Sequence, residues 1–338
     1  MSIALRRAAV ALAFATPIAA QQPALVVLNK SEATASMISL ADGKIFATMP
    51  VGDGPHEVAV SPDARWGVVA NYGGAQGPGH SLTVLDLRAR KATTTIELGE
   101  YLRPHGIAWL LDGKHVAVTS EQARAVIIVD VAAGKVDRVI KTNQPGHLFT
   151  LSKDQKRMWT ANIATGSISL VDVDKGEVIK TATLGGGPEA TDLAPDGREF
   201  WAAGSTSNLI TILSAATLDT LGSIPTGKRP NRLHFTPDGR WVLVSNIYSG
   251  TLEFFDTRTR QLVDRITFPF DSAKVSTSAV GRTGPSAAPE GILIAPDGKR
   301  AWVALAAMDQ IAEVDLVTRK VTRYIQTGRE PDGMGYVP

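Results

Sequence analysis

Gly54-Pro55-His56-Glu57-Val58-Ala59-Val60-Ser61-Pro62-Asp63-Ala64-Arg65-Trp66-Gly67-Val68-Val69-Ala70-Asn71 alternates, breaks at Pro-Asp, and resumes as a second apolar run. The phrase returns as Arg229-Pro230-Asn231-Arg232-Leu233-His234-Phe235-Thr236-Pro237-Asp238-Gly239-Arg240-Trp241-Val242-Leu243-Val244-Ser245-Asn246. Degenerate copies surround Asp112-Gly113-Lys114, Asp154-Gln155-Lys156, Pro195-Asp196-Gly197-Arg198 and Pro296-Asp297-Gly298-Lys299. Period-two alternation on both sides of such a turn predicts strand-turn-strand, because Asp and Gly tolerate the positive φ the turn needs. Each copy is followed by two further runs, such as Ser169-Leu170-Val171-Asp172 and Glu177-Val178-Ile179-Lys180. Four short strands in a repeat of about 42 residues are the arithmetic of a propeller blade.

The two ends of the chain decide between a closed ring and an open solenoid. Glu330-Pro331-Asp332-Gly333-Met334-Gly335-Tyr336-Val337 matches only the first strand of a unit, while Ala24-Leu25-Val26-Val27-Leu28-Asn29-Lys30 matches only the second. Residues 37–40 and 44–49 supply the third and fourth strands. Together these fragments make one blade across the termini, which removes the free edges of a solenoid. With six complete units they predict an all-β, seven-bladed β-propeller occupying residues 21–338 as one domain.

The phrase resembles the YVTN-type repeat family, also called surface-antigen or surface-layer-type repeats, through Ser61-Pro62-Asp63 and Thr236-Pro237-Asp238-Gly239-Arg240 followed by Trp-x-(apolar) runs ending in Asn. The resemblance covers essentially the whole chain after the first twenty residues. It implies the propeller fold and says little about activity, since propellers host many unrelated functions.

Residues 1–20 read as an address. Arg6-Arg7, the apolar run Ala8 to Ala15, and Ala19-Ala20 before Gln21 form the three parts of a secretory signal, with cleavage expected after Ala20. The run is too short to span a bilayer, which needs about 20 apolar residues. The mature protein is expected to be periplasmic or secreted, without a membrane span, and monomeric. Removing Arg6 and Arg7 takes the formal charge from +2 to zero, and no basic stripe argues for nucleic acid. The 338 residues contain no cysteine, which excludes disulfides, thiolate metal sites and a cysteine nucleophile. No nucleotide, flavin or haem motif and no Gly-x-Ser-x-Gly is present.

Irregularities in the repeat point to one face. Tyr72 to His80 adds five residues between the second and third strands of the first complete blade, and residues 269–289 lengthen the link between the fifth and sixth. In an up-and-down blade both connections emerge on the face where each first strand begins, so both insertions are candidates for contact with a protein partner or envelope polymer. The second is also expected to fold over the channel as a lid. Trp66, Trp159, Trp201, Trp241 and Trp302 recur on second strands, where inter-blade packing explains them better than an aromatic cage. Asn29, Asn71, Asn162 and Asn246 close second strands and suit the turn that follows.

Seven residues before each turn Asp stand His56, His105, His147, Glu189, Asn231 and Glu290, with Asp332 in the equivalent place of the closing blade. These positions begin the innermost strands and should surround the channel mouth. None of the seven is apolar, and three of the six histidines are among them. Imidazole suits Zn or Cu, and carboxylate suits Ca, so His56, His105, His147 and Glu189 are candidate ligands for a divalent metal. Short polar side chains tolerating a hydrated funnel explain the same pattern without a metal. Asn231, Glu290 and Asp332 are candidate contacts for a small molecule, together with His80 on the insertion and Arg103, Arg229 and Arg232 beside the mouth. Three functions follow: a binding protein for a metal or a metal-assisted small molecule, an enzyme, or an interaction scaffold. The enzyme reading rests on a resemblance in architecture and residue type to gluconolactonases and streptogramin-type lyases. It implies a metal-dependent lactonase or lyase using His105, His147 and Glu189.

Overall fold

The computed structural model describes residues 22–273, 275 and 284–338, and these form seven antiparallel four-stranded sheets. The expected secretory signal and the middle of the insertion expected to act as a lid lie outside the described residues. The innermost strands touch one another in cyclic order, so the sheets form a closed ring around a central channel. Pro331–Val337 pairs with Ala24–Asn29, with Leu25 opposite Tyr336 and Val27 opposite Met334, and Thr34–Ser39 and Ile45–Pro50 complete that closing blade. The other six blades follow in chain order and are numbered 1 to 6 below. Among the described residues no helix is long and apolar enough to cross a membrane.

The turns form as their composition dictates. Asp63 accepts hydrogen bonds from the Ser61 hydroxyl at 2.6 Å and the Arg65 N–H at 3.1 Å, and Asp238 does the same with Thr236 and Arg240 at 2.6 and 3.0 Å. The next residue is left-handed. Glycine fills that place in four blades, but Ala64 (φ 53°) and Gln155 (φ 55°) adopt it too, at a conformational cost glycine avoids.

Neighbouring blades bury their faces against each other. Val68, Leu82 and Val84 of blade 1 pack on Val116, Val118 and Ile127 of blade 2, all at most 4% exposed. Each such side chain contributes about 1.5–3 kcal/mol when fully buried. Trp201 and Trp302 are fully buried within these seams, and the Trp302 indole N–H reaches Glu313 at 3.0 Å. The four asparagines do more than suit a turn. Each is buried and donates to hydroxyls on the third strand, as Asn29 does to Thr34 and Ser36 at 2.9 Å. Asn29 and Asn71 also accept the N–H of Gly328 and Gly52 at 3.1 Å, which ties the incoming chain to the top of the blade.

The blade 1 insertion is an extended hairpin rather than a loop. Trp66–Gly74 pairs with Gly77–Asp86, and Gly73 and Gly79 let the two backbones close: a Cβ on Gly79 would stand 1.9 Å from the Asn71 carbonyl oxygen. The long insertion leaves blade 5 at the buried Phe268 and returns through Ser286, Ala287 and Ala288, where the Ser286 hydroxyl bonds the Ile247 carbonyl.

Candidate functional site at the channel mouth

All seven positions before the turn Asp line one cavity of about 220 Å³. Each begins or immediately precedes an innermost strand, and the cyclic contact of those strands brings their side chains to one axis. The cavity divides by chemistry. His56, His105 and His147 hold one side, and Lys30, Arg232 and the acids hold the other.

On the imidazole side, the His105 and His147 rings stand 3.7 Å apart between centroids, and His56 lies 5.0 Å from His105. Tyr72 sits above them, 4.7 Å from His56 and 5.1 Å from His105. Nδ1 of His56 donates to the Gly54 carbonyl at 2.8 Å, and Nδ1 of His147 is bonded to the Glu121 carboxylate. Burial, aided by Lys30, pushes the His56 imidazole down to about 4, and burial holds His105 well below the usual range. Both rings are therefore neutral at pH 7. His105 is 1% exposed and its Nδ1 has no hydrogen-bond partner. Such a nitrogen carries a desolvation cost of about 1–3 kcal/mol that a bound group could recover.

Across the cavity, Lys30 bonds Glu290 and stands 3.3 Å from Asp332. Burial opposes the lysine's charge, yet Asp332 and Glu290 outweigh it and raise its pKa. Burial likewise opposes the Asp332 charge, and Lys30 and Arg232 overcome it. Oδ1 of Asp332 still accepts no hydrogen bond, with Arg232 at 3.8 Å. Asn231 donates to Glu189 at 2.6 Å and accepts from Arg232 at 3.1 Å.

Several expected contacts fall elsewhere. His80 is carried away from the mouth by the lengthened hairpin and pairs with Glu97 at 2.9 Å, both largely exposed. Arg103 lies over the Tyr72 ring at 4.9 Å and does not line the cavity, whereas Arg229 does, bonded to the Tyr248 hydroxyl at 2.9 Å. Arg232 is not a rim charge. It is buried, spans the channel from blade 5 to Glu57 of blade 1, and separates the mouth from a second cavity of about 370 Å³ beneath.

Three participants were not anticipated. Lys30, Tyr72 and Glu121 each follow the last residue of a second strand or its equivalent, and from there they reach inward over the mouth. The corresponding residues in the other blades are Ile163, Ser205, Ile247 and Ala306. A polar residue at that one repeat position is the signal that would have found them.

The expected metal set is not assembled as it stands. Among the described residues no three His, Asp or Glu side chains stand in metal-holding geometry. The His105 and His147 rings lie side against side, and Glu189 is engaged by Asn231. Calcium fits poorly, because Glu290 and Asp332 are already neutralised by Lys30.

No protein-family model matches the chain, and no curated relative is found from its sequence. Solved structures with the same fold are numerous. Pseudomonas aeruginosa periplasmic gluconolactonase superposes with a TM-score of 0.70 at 18% identity, covering 94% of this chain and 99% of that one. Kuenenia stuttgartiensis hydrazine synthase gives 0.69 at 18%, over 83% and 88% of the two chains. A functionally unknown protein from Desulfotomaculum acetoxidans gives 0.72 at 14%, over 94% and 99%. At these identities the likeness establishes the seven-bladed fold alone.

Proposed function

We propose that this chain is an exported propeller of the YVTN-type repeat family that captures a small polar molecule at its channel mouth. The repeat phrase and the signal-like first twenty residues support the family and the export. One observation carries the binding. Seven residues from seven blades line a single cavity, and two of them, His105 and Asp332, keep buried polar atoms without a hydrogen-bond partner. The cavity's lysine and carboxylates are largely paired with each other, so a ligand supplying donors and acceptors suits it better than a bare ion.

Isothermal titration of the mature protein with neutral sugars, lactones and dicarboxylates, and separately with Zn, Cu and Ca, tests this. An organic ligand should bind, and His105→Leu should abolish its binding. Binding unchanged in His105→Leu, or binding of metals alone, would replace this reading.

A further inference from the structure

The charged side chains between the mouth and the partition beneath it do not balance. Arg232 is bonded to Glu57, while Lys30 alone serves two acids, bonded to Glu290 and 3.3 Å from Asp332. Two cations thus face three carboxylates, and none of the five side chains is more than 20% exposed. The other two charges lining the mouth, Glu189 and Arg229, are opposite in sign and bonded to neutral Asn231 and Tyr248. Burial raises the Glu57 and Glu290 carboxyls against the pull of Arg232 and Lys30, and the Asp332 charge raises both further. A buried negative charge without its own cation is unfavourable, and a monovalent cation entering the mouth would balance it.

The form of that cation follows from the atoms left unpaired. Oδ1 of Asp332 is buried and accepts no hydrogen bond, since Lys30 approaches Oδ2 and Arg232 stops at 3.8 Å. His56 is its neighbour across the closing blade and blade 1, where a Cβ on Gly333 would stand 2.2 Å from the His56 carbonyl oxygen. The Gly54 carbonyl can only accept, so the His56 proton is on Nδ1. Burial, aided by Lys30, pushes this imidazole down to about 4, so Nε2 keeps its lone pair at pH 7, and no described residue bonds it. Neutral His105 contributes one more lone pair, whichever of its nitrogens carries the proton. Lys30, Arg229 and Arg232, which can only donate, already have protein acceptors. The open valences of the mouth are therefore acceptors.

An alcohol offers such acceptors a proton but leaves the charge unbalanced, and a quaternary ammonium brings the charge without an N–H. A primary ammonium supplies one positive charge and three donors together. We infer that the mouth binds a small primary ammonium, with its N–H groups on Oδ1 of Asp332 and Nε2 of His56. This rests on the reading of the mouth as a ligand site and names its ligand class. The rings of His56, His105 and Tyr72, whose centroids lie within 5.1 Å of one another, form an aromatic wall that also attracts a cation. At about 220 Å³ the cavity equals the liquid volume of about seven waters, room for an ammonium on a chain of a few carbons.

Calorimetric titration of the mature protein at constant ionic strength, with n-propylammonium, propan-1-ol, glycerol, propionate and tetramethylammonium as probes, tests this. n-Propylammonium should bind, whereas propan-1-ol, glycerol and propionate should not. Tetramethylammonium should bind at least about 10-fold more weakly for want of N–H donors. Asp332→Asn removes the charge and should weaken n-propylammonium by about 10–100-fold. His56→Phe keeps an aromatic ring but loses Nε2, and should weaken it by about 10-fold. Should Asp332→Asn fail to fold, His56→Phe decides alone. The inference is overturned if propan-1-ol, glycerol or tetramethylammonium binds as tightly as n-propylammonium, or if affinity is unchanged in these variants. Binding of propionate or glycerol in place of the ammonium overturns it and leaves the ligand-site reading standing. If neither these probes nor the sugars and dicarboxylates bind, both fall.

Discussion

Replacing Arg232 by Met should be among the most damaging single changes outside the inter-blade seams. Its guanidinium is 8% exposed, is bonded to Glu57, lies 3.8 Å from Asp332, and donates to both oxygens of Asn231 at 3.0 and 3.1 Å. Methionine fills much of the stem volume but leaves the Glu57 carboxylate, only 20% exposed, without its cation. Breaking a buried pair on one side costs about 3–5 kcal/mol. With an unfolding entropy of about 2.1 cal/mol/K per residue, that cost lowers Tm by about 4–7 °C for a chain of this length. Arg232→Met/Glu57→Leu removes both charges and should recover more than half of the loss, because an apolar replacement of a buried pair is often neutral. Urea titration and calorimetry on the parent, both single variants and the double variant close the cycle. A loss below about 1 kcal/mol in Arg232→Met would mean that water already serves Glu57, and the ion pair would not be the partition described. Losses that simply add in the double variant would refute the coupling.

Other expectations are independent of the mouth. Ala64→Gly should raise stability by about 0.5–1 kcal/mol, because Ala64 sits at φ 53° where most blades use glycine; an unchanged urea midpoint would show the strain to be negligible. Asn29→Ala strips partners from Thr34, Ser36 and the Gly328 N–H, and should cost about 1–3 kcal/mol by the same titration. The Ser61 hydroxyl holds Asp63 below the usual carboxylate range, and the Thr236 hydroxyl does so for Asp238. Their folded values lie below the unfolded ones, so this stabilisation is complete above about pH 5 and is lost as pH falls below about 4. Asp63→Asn/Asp238→Asn should therefore flatten the acid limb of stability against pH. Superimposable limbs would remove these turns from the account.

The fold was legible because blades 1 to 6 repeat the same local chemistry, with Asp at the turn, alternation beside it, and a tryptophan or valine to pack. The seven mouth residues were legible for the same reason, since a fixed offset from the turn Asp is a fixed place on the innermost strand. Orientation was not. Spacing cannot tell whether His105 and His147 present their nitrogens to one point or lie against each other, and they lie 3.7 Å apart as neighbouring rings. Lys30 and Glu121 were missed because their inward reach depends on how the strand end meets the next blade. His80 was misplaced because a glycine-rich insertion reads as a loop, whereas Gly73 and Gly79 allow close pairing and lengthen the hairpin outward.

The pairing of Pro331–Val337 with Ala24–Asn29 also governs how the protein is made. Synthesis delivers Ala-Leu-Val-Val-Leu-Asn early, an uncharged, proline-free, β-prone segment whose partner strand arrives some 300 residues later. Until then one of its hydrogen-bonding edges is open to other copies of itself, and the nascent chain is at its most adhesive while it is still incomplete. A holding chaperone that releases the chain only after the last strand has emerged would protect this edge, and a shortened chain lacking residues 331–337 should form intermolecular sheet rather than a looser ring.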